Sequence, residues 1–202
     1  MRRLILASTS KYRRELLGRL GLSFEAAAPG VDEAALPGEA PPQLAARLAA
    51  AKAHSVRAAD AVVIGSDQVA SLAGVVLRKP GGAATALRQL EAAQGNIVVF
   101  HTAVTVLDTA AGAEWSHVDR TEVRFARLPT AALERYLEID EPFDCAGSFK
   151  SESLGVALFE RIESTDPTAL IGLPLIWLAA TLRSAGLDPL AGRAARASSG
   201  KP

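Results

Sequence analysis

Ala61-Val62-Val63-Ile64-Gly65-Ser66-Asp67-Gln68-Val69 is an apolar run that breaks into Gly-Ser-Asp-Gln. Four apolar residues in a row, two of them valine and one isoleucine, read as a buried strand that ends near Gly65. The strand then delivers a carboxylate and an amide to its carboxyl end, and ligands of open α/β sheets bind in the crevice outside such ends. A carboxylate there can take a proton from water or help to hold a metal. Alone, an aspartate after a strand serves as readily as a turn former or a helix cap. The rest of the chain has to supply its company.

Working outward, Leu4–Ala7 is a short apolar strand, and Ser8-Thr9-Ser10 precedes a helix from Lys11 to Leu20 with Tyr12, Leu16, Leu17 and Leu20 at helical spacing. Phe24–Ala28 reads as a strand, residues 42–59 as a helix, and Val75–Leu77 as a strand. A helix over residues 82–93, strands over Ile97–Leu107 and Trp115–Phe125, a helix from Pro129 to Ile139, a strand over Val156–Ile162 and a helix from Gly172 to Ala185 complete the order. Strands alternating with helices predict an α/β fold. The 202 residues suit one domain over residues 1–188, with two lobes around a cleft. Residues 189–202, rich in Ala, Gly and Ser, read as a flexible tail.

The 22 basic and 22 acidic residues cancel, which argues against a nucleic-acid partner, since that needs a basic stripe. A small anionic ligand needs only a local cluster. One cysteine, Cys145, allows no internal disulfide and suits a reducing compartment. Neither the N-terminal apolar run nor the charge-free stretch 168–182 reaches the ~20 residues of a membrane span. The expectation is a cytoplasmic protein with no membrane partner. Three unpaired histidines and one cysteine give a zinc site little support, and no Walker sequence or Gly-x-Gly-x-x-Gly opens a helix.

Ser8 and Ser10 lie at a predicted helix N-terminus, where free N–H groups and the dipole favour an anion. Arg13 and Arg14 add guanidinium groups suited to phosphate; the plainer reading is a serine cap beside solvated arginines. Asp32 and Glu33 follow a Pro-Gly turn and with Asp67 offer hard oxygens to Mg²⁺ or Mn²⁺, although exposed carboxylates are common. Lys52 and Lys79 would make a cationic pocket if the fold brings them to the arginines. Glu152 could read a base edge or lie on the surface, and Cys145 reads as a filler among small residues.

Together, in order, Leu6-Ala7-Ser8-Thr9-Ser10 with Arg13-Arg14-Glu15-Leu16-Leu17, Val31-Asp32-Glu33, Gly65-Ser66-Asp67-Gln68, Lys79-Pro80, Glu141-Pro142 and Ile171-Gly172-Leu173-Pro174 are highly specific. The chain resembles the Maf nucleotide pyrophosphatases from about Leu4 to Leu187. Gly65–Gln68 and the run from Asp144 to Glu152 make it most similar to the subgroup acting on 7-methyl-GTP. The subgroup acting on dTTP and UTP typically has Thr at position 68 and Gln at position 152.

The resemblance implies a Maf/ITPase-like two-lobed α/β fold with a central mixed twisted sheet flanked by helices. It implies hydrolysis of a nucleoside triphosphate to the monophosphate and pyrophosphate with a divalent metal, for which Glu33 and Asp67 are the candidate ligands of Mg²⁺ or Mn²⁺ on the residue reading. Asp67 is implied as proton acceptor and Tyr12, Gln68 and Glu152 as residues that tune base choice; the residue pattern adds Lys52 and Lys79 as candidate catalytic cations and Ser8, Ser10, Arg13 and Arg14 as candidate phosphate ligands. A homodimer is also suggested. A positively charged methylguanine suits an aromatic face, and the two adjacent donors of guanine's Watson–Crick edge suit a carboxylate. A dTTP/UTP pyrophosphatase and a nucleotide-binding regulator of septum formation stand as alternatives.

Overall fold

The computed structural model describes residues 2–191; the tail expected from residue 189 lies, from 192 onward, outside the described residues. The strands β1 (Arg3–Ala7), β2 (Glu25–Ala27), β3 (Ala61–Leu72), β4 (Val75–Leu77), β5 (Ile97–Asp108), β6 (Ala113–Phe125) and β7 (Phe159–Glu163) form one mixed sheet. Its order is β2-β1-β3-β5-β6-β7, with β4 paired to β3. Five helices accompany it: α1 (Lys11–Gly18), α2 (Pro41–Ser55), α3 (Ala83–Ala93), α4 (Thr130–Asp140) and α5 (Leu175–Ser184). The fold is α/β.

The main departure from the sequence reading is β3. It does not stop at Gly65 but runs on to Leu72, paired to β5 along its length. Asp67 and Gln68 are therefore inside a strand. Polar residues interrupt the apolar pattern there because β3 changes surroundings at that level. Up to Gly65 it is flanked by parallel β1, whose Ala7 is the last partner. From Ala70 onward it is flanked by antiparallel β4. Between these, residues 66–69 pair on one side only.

Smaller shifts have local causes. Helix α1 ends at Gly18 because Arg19, Leu20 and Gly21 donate to Leu16, Leu17 and Gly18, the tighter three-residue spacing. Helix α5 starts after Pro174 rather than at Gly172. The Asp166 carboxylate accepts Ile176 N–H at 2.7 Å and Thr168 Oγ1 accepts Leu175 N–H at 2.9 Å, which satisfies its first turn. Residues 154–158 form a 3₁₀ turn, so the strand expected from Val156 begins at Phe159.

The two faces of β3 have different tasks. On one face Val62 and Ile64 pack with Leu16, Leu17, Leu178 and Leu182, while Ala70 joins a separate cluster of Phe100, Phe125, Leu90 and Leu133. Ser66 and Gln68 form a polar seam between these clusters. On the other face lies α2. A Cβ on Gly65 would sit 2.2 Å from Ala49 O and 2.4 Å from Ala53 N, so only glycine lets the helix lie this close. That approach carries Lys52 to Asp67.

Candidate active site

The half-paired stretch of β3 is the floor of a cleft of about 970 Å³. The chain leaving β1 (Ser8 to Arg13) walls one side, the chain leaving β4 (Lys79) another, and residues 170–172 a third. Because no strand covers 66–69 on this side, Asp67 on one face and Gln68 on the other both reach the cleft.

At one end the charges are tightly paired. Lys52 is 5% exposed and Asp67 7%. Lys52 Nζ donates to Asp67 Oδ1 at 2.6 Å and lies 2.5 Å from Glu33 Oε1. One ammonium thus joins two carboxylates, one from β3 and one from the loop before α2. The Lys52 hydrogen bond holds the Glu33 carboxyl below its ordinary range. Its pairing therefore persists above that range and is lost as pH falls through the depressed value. Burial draws the Arg13 guanidinium down, and Asp67 and Glu33 oppose that pull. Arg13 Nε donates to Gly172 O at 3.0 Å.

The polar seam fixes the wall that holds Arg13. Ser66 Oγ donates to Ala103 O and lies 3.1 Å from Gly172 O. Gln68 Nε2 reaches Thr102 Oγ1, Ala169 O and Leu170 O within 3.0 Å. The Gln68 amide nitrogen is committed to the turn 169–171, and only its carbonyl oxygen remains for a ligand. Thr102 carries no sequence signal for this role.

The other end is acidic and more open. Tyr12 is partly buried, and Glu152 and Asp144 are exposed; all three line the cleft with Cys145. Burial pushes the Tyr12 hydroxyl up to about 12, with Cys145, Glu152, Asp144 and Glu15 adding to it. Burial, followed by the hydrogen bond to Asp144, pushes the Cys145 thiol up to about 12. Both stay protonated near neutrality, so Tyr12 offers a ring and Cys145 no thiolate. Lys11 Nζ stands 4.8 Å from the Tyr12 ring centroid.

Ser8, Ser10, Tyr12, Arg13, Glu33, Lys52, Asp67, Gln68, Lys79 and Glu152, scattered through the sequence, all line this cleft. Arg14 does not: it is exposed on α1 and outside the lining. The serine hydroxyls also serve the chain locally, Ser8 Oγ accepting Ser10 N–H and Ser10 Oγ accepting Arg13 N–H. The oxygen cluster of three carboxylates is not formed. Asp32 turns its carboxylate onto Ala34 N–H, and no group of three His, Cys, Asp or Glu is placed to hold a metal among the described residues. Glu33 and Asp67 converge on the Lys52 ammonium, each through one carboxylate oxygen, which leaves each a second hard oxygen to offer a cation. That fits Mg²⁺, which typically takes one or two carboxylates and completes its shell with water and substrate phosphate. Sequence reasoning missed Arg47 and Glu39, which bind the loop carrying Glu33.

The chain has relatives among known proteins. The family model for Maf-like proteins matches residues 3–185. A 7-methyl-GTP pyrophosphatase of Xanthomonas oryzae is 55% identical over 188 residues, covering 92% of this chain and 98% of its own. Those of Albidiferax ferrireducens and Bordetella pertussis are each 51% identical, covering 94% and 96% of this chain and 96% and 97% of their own. A HAM1 protein from Coxiella burnetii aligns in structure with a TM-score of 0.44 and 17% identity, over 64% of this chain and 75% of that one. No helix among the described residues is long and apolar enough to cross a membrane.

Proposed function

The chain belongs to the Maf-like protein family, and from that premise and the cleft we propose that it hydrolyses 7-methyl-GTP to 7-methyl-GMP and pyrophosphate. The observation that carries this reading is the buried Lys52–Asp67 pair on the floor of a cleft that also gathers Glu33, Arg13 and Lys79. The Asp67 carboxylate takes the proton of a water that attacks the α-phosphorus, and the bond from that phosphorus to the bridging oxygen breaks. Lys52 keeps Asp67 aimed through its hydrogen bond to Oδ1. Arg13, held at its Nε by Gly172, turns its remaining nitrogens to phosphate, with Lys79 opposite. Ser8 and Ser10 shape the helix start that faces the same oxygens. Glu33 and Asp67 would hold Mg²⁺ or Mn²⁺, which when bound draws charge off the phosphate oxygens.

Base choice belongs to the acidic end. A methylated guanine carries positive charge; Tyr12 gives it a π face and Glu152 a carboxylate for its N1–H and amino group. Gln68 contributes through its carbonyl oxygen and by bracing the wall. The test is pyrophosphate release from 7-methyl-GTP, GTP, dTTP and UTP, each with Mg²⁺, Mn²⁺ or chelator. The expected result is fastest, metal-dependent release from 7-methyl-GTP. Faster release from dTTP or UTP would overturn the base assignment. Tight binding without release from any of the four would favour a sensing role.

A further inference from the structure

We propose that Arg47 is a positioning residue, stapling the loop before α2 so that Glu33 is held on Lys52; this rests on the catalytic reading above. The loop from Asp32 to Glu39 is exposed along most of its length and has no strand or helix to order it. Arg47 grips it at three points. Its Nε donates to Glu39 Oε1 at 2.6 Å, its Nη2 to Glu39 Oε2 at 2.8 Å, and the same Nη2 to Ala34 O at 2.9 Å. Glu39 passes the restraint on, accepting Leu36 N–H at 3.0 Å.

The consequence lies in adjacency. Ala34, held through its carbonyl by Arg47, is the residue after Glu33, held through its carboxylate by Lys52. Both cations stand on α2, five residues apart, about 7.5 Å of helix rise. Two neighbouring loop residues are thus gripped from one rigid element, itself set against β3 at Gly65. The fork of Arg47 is what the geometry requires: it takes both oxygens of Glu39 and still reaches a carbonyl, which a lysine cannot do. Hydrogen bonds from Arg47 and from Leu36 hold the Glu39 carboxyl down to about 2, so the staple stays charged near neutrality. Arg47 touches no cleft residue that meets substrate in the proposed reaction; it acts through Glu33.

The experiment compares Arg47→Met, Arg47→Lys and Glu39→Gln with the parent, and repeats Arg47→Met in a Glu33→Gln background. Expected is a drop in kcat/KM of about ten- to hundredfold for Arg47→Met, with partial recovery in Arg47→Lys and an unchanged thermal midpoint. In the Glu33→Gln background Arg47→Met should cost less than twofold more. An equal loss in both backgrounds, or parental activity in Arg47→Met, would overturn the proposal. Amide exchange across residues 33–39 is read alongside and needs no substrate. It should quicken in Arg47→Met and in Glu39→Gln, and unchanged exchange would overturn the staple even where Glu33→Gln is too slow to assay. A parent that releases no pyrophosphate defeats the functional reading while leaving the exchange result to stand by itself.

Discussion

The two ends of the cleft are built on opposite plans. At the Asp67 end most of the polar groups are tied: Lys52 to two carboxylates, Arg13 to a carbonyl, Gln68 to a turn. At the Tyr12 end Asp144 and Glu152 face solvent, and among the described residues Glu152 meets only the neighbouring Ser151 hydroxyl at 3.3 Å. The first plan suits a reaction centre, where preorganised dipoles and charges do most of the stabilising. The second suits selection, where a ligand finds carboxylates with unused acceptor capacity. Substitutions should therefore act on rate at the first end and on preference at the second.

The largest effect should come from Asp67→Asn. It keeps the shape of the side chain but removes the proton acceptor, and kcat should fall about 10²- to 10⁴-fold. Single-turnover kinetics, with a thermal midpoint to show that the fold persists, measure this. A variant that turns over at the parental rate would remove Asp67 from the chemistry and dissolve the contrast between the two ends.

Gly65→Ala comes next and sharpens the comparison, because it strikes the Asp67 end without touching a charged group. The added methyl meets backbone atoms of α2, which cannot swing aside as a flexible side chain would. Forcing such a contact typically costs about 1–3 kcal/mol. Lys52 moves with the helix, so turnover should fall along with stability. Denaturant unfolding and kcat should change together while the ratio of 7-methyl-GTP to GTP turnover stays put. A changed ratio would mean that the two ends are mechanically joined.

Much of this arrangement was legible in the chain itself, and the exceptions share a cause. Helix and strand order followed from apolar spacing, and Ser10 is the cap that its position suggested. Asp67 reads as the central carboxylate, but the apolar run alone puts it at a strand end. What ends at that level is its neighbour β1, and pairing with a distant strand leaves no mark on local sequence. Arg13 and Arg14 looked equivalent; the turn of α1 puts one in the cleft and the other outside. Arg47 carries no local signal, because an arginine on an Ala-rich helix reads as solvated surface. Its partner Glu39 is eight residues earlier, outside the i, i+4 range that signals a pair within a helix. The family resemblance supplied roles for separate residues, whereas the staple and the braced wall come from contacts that only folding creates.

At the other end Glu152→Gln should lower the preference for 7-methyl-GTP over UTP by about tenfold. A charged acceptor contributes about 1.5–3 kcal/mol where it is desolvated, and Glu152 is exposed enough to give the lower figure. Relative kcat/KM on the two nucleotides reads it. A lower kcat on both with the ratio unchanged would assign Glu152 to the reaction rather than to the base.

Tyr12→Leu should have the smallest effect. Cation–π attraction is worth about 0.5–1 kcal/mol at exposed sites, so the preference for 7-methyl-GTP over unmethylated GTP should fall about two- to fivefold. Lys11 already places an ammonium over the Tyr12 ring, which leaves one face at most for a cationic base. Lys11→Ala should accordingly leave the preference intact or raise it, since it removes a competitor for the ring without touching the carboxylates. If Lys11→Ala lowers that preference as much as Tyr12→Leu does, the lysine is part of the recognition surface and charge at this end is not purely acidic. Competition between the two nucleotides in one reaction resolves differences of this size, because both meet the same enzyme at the same concentration.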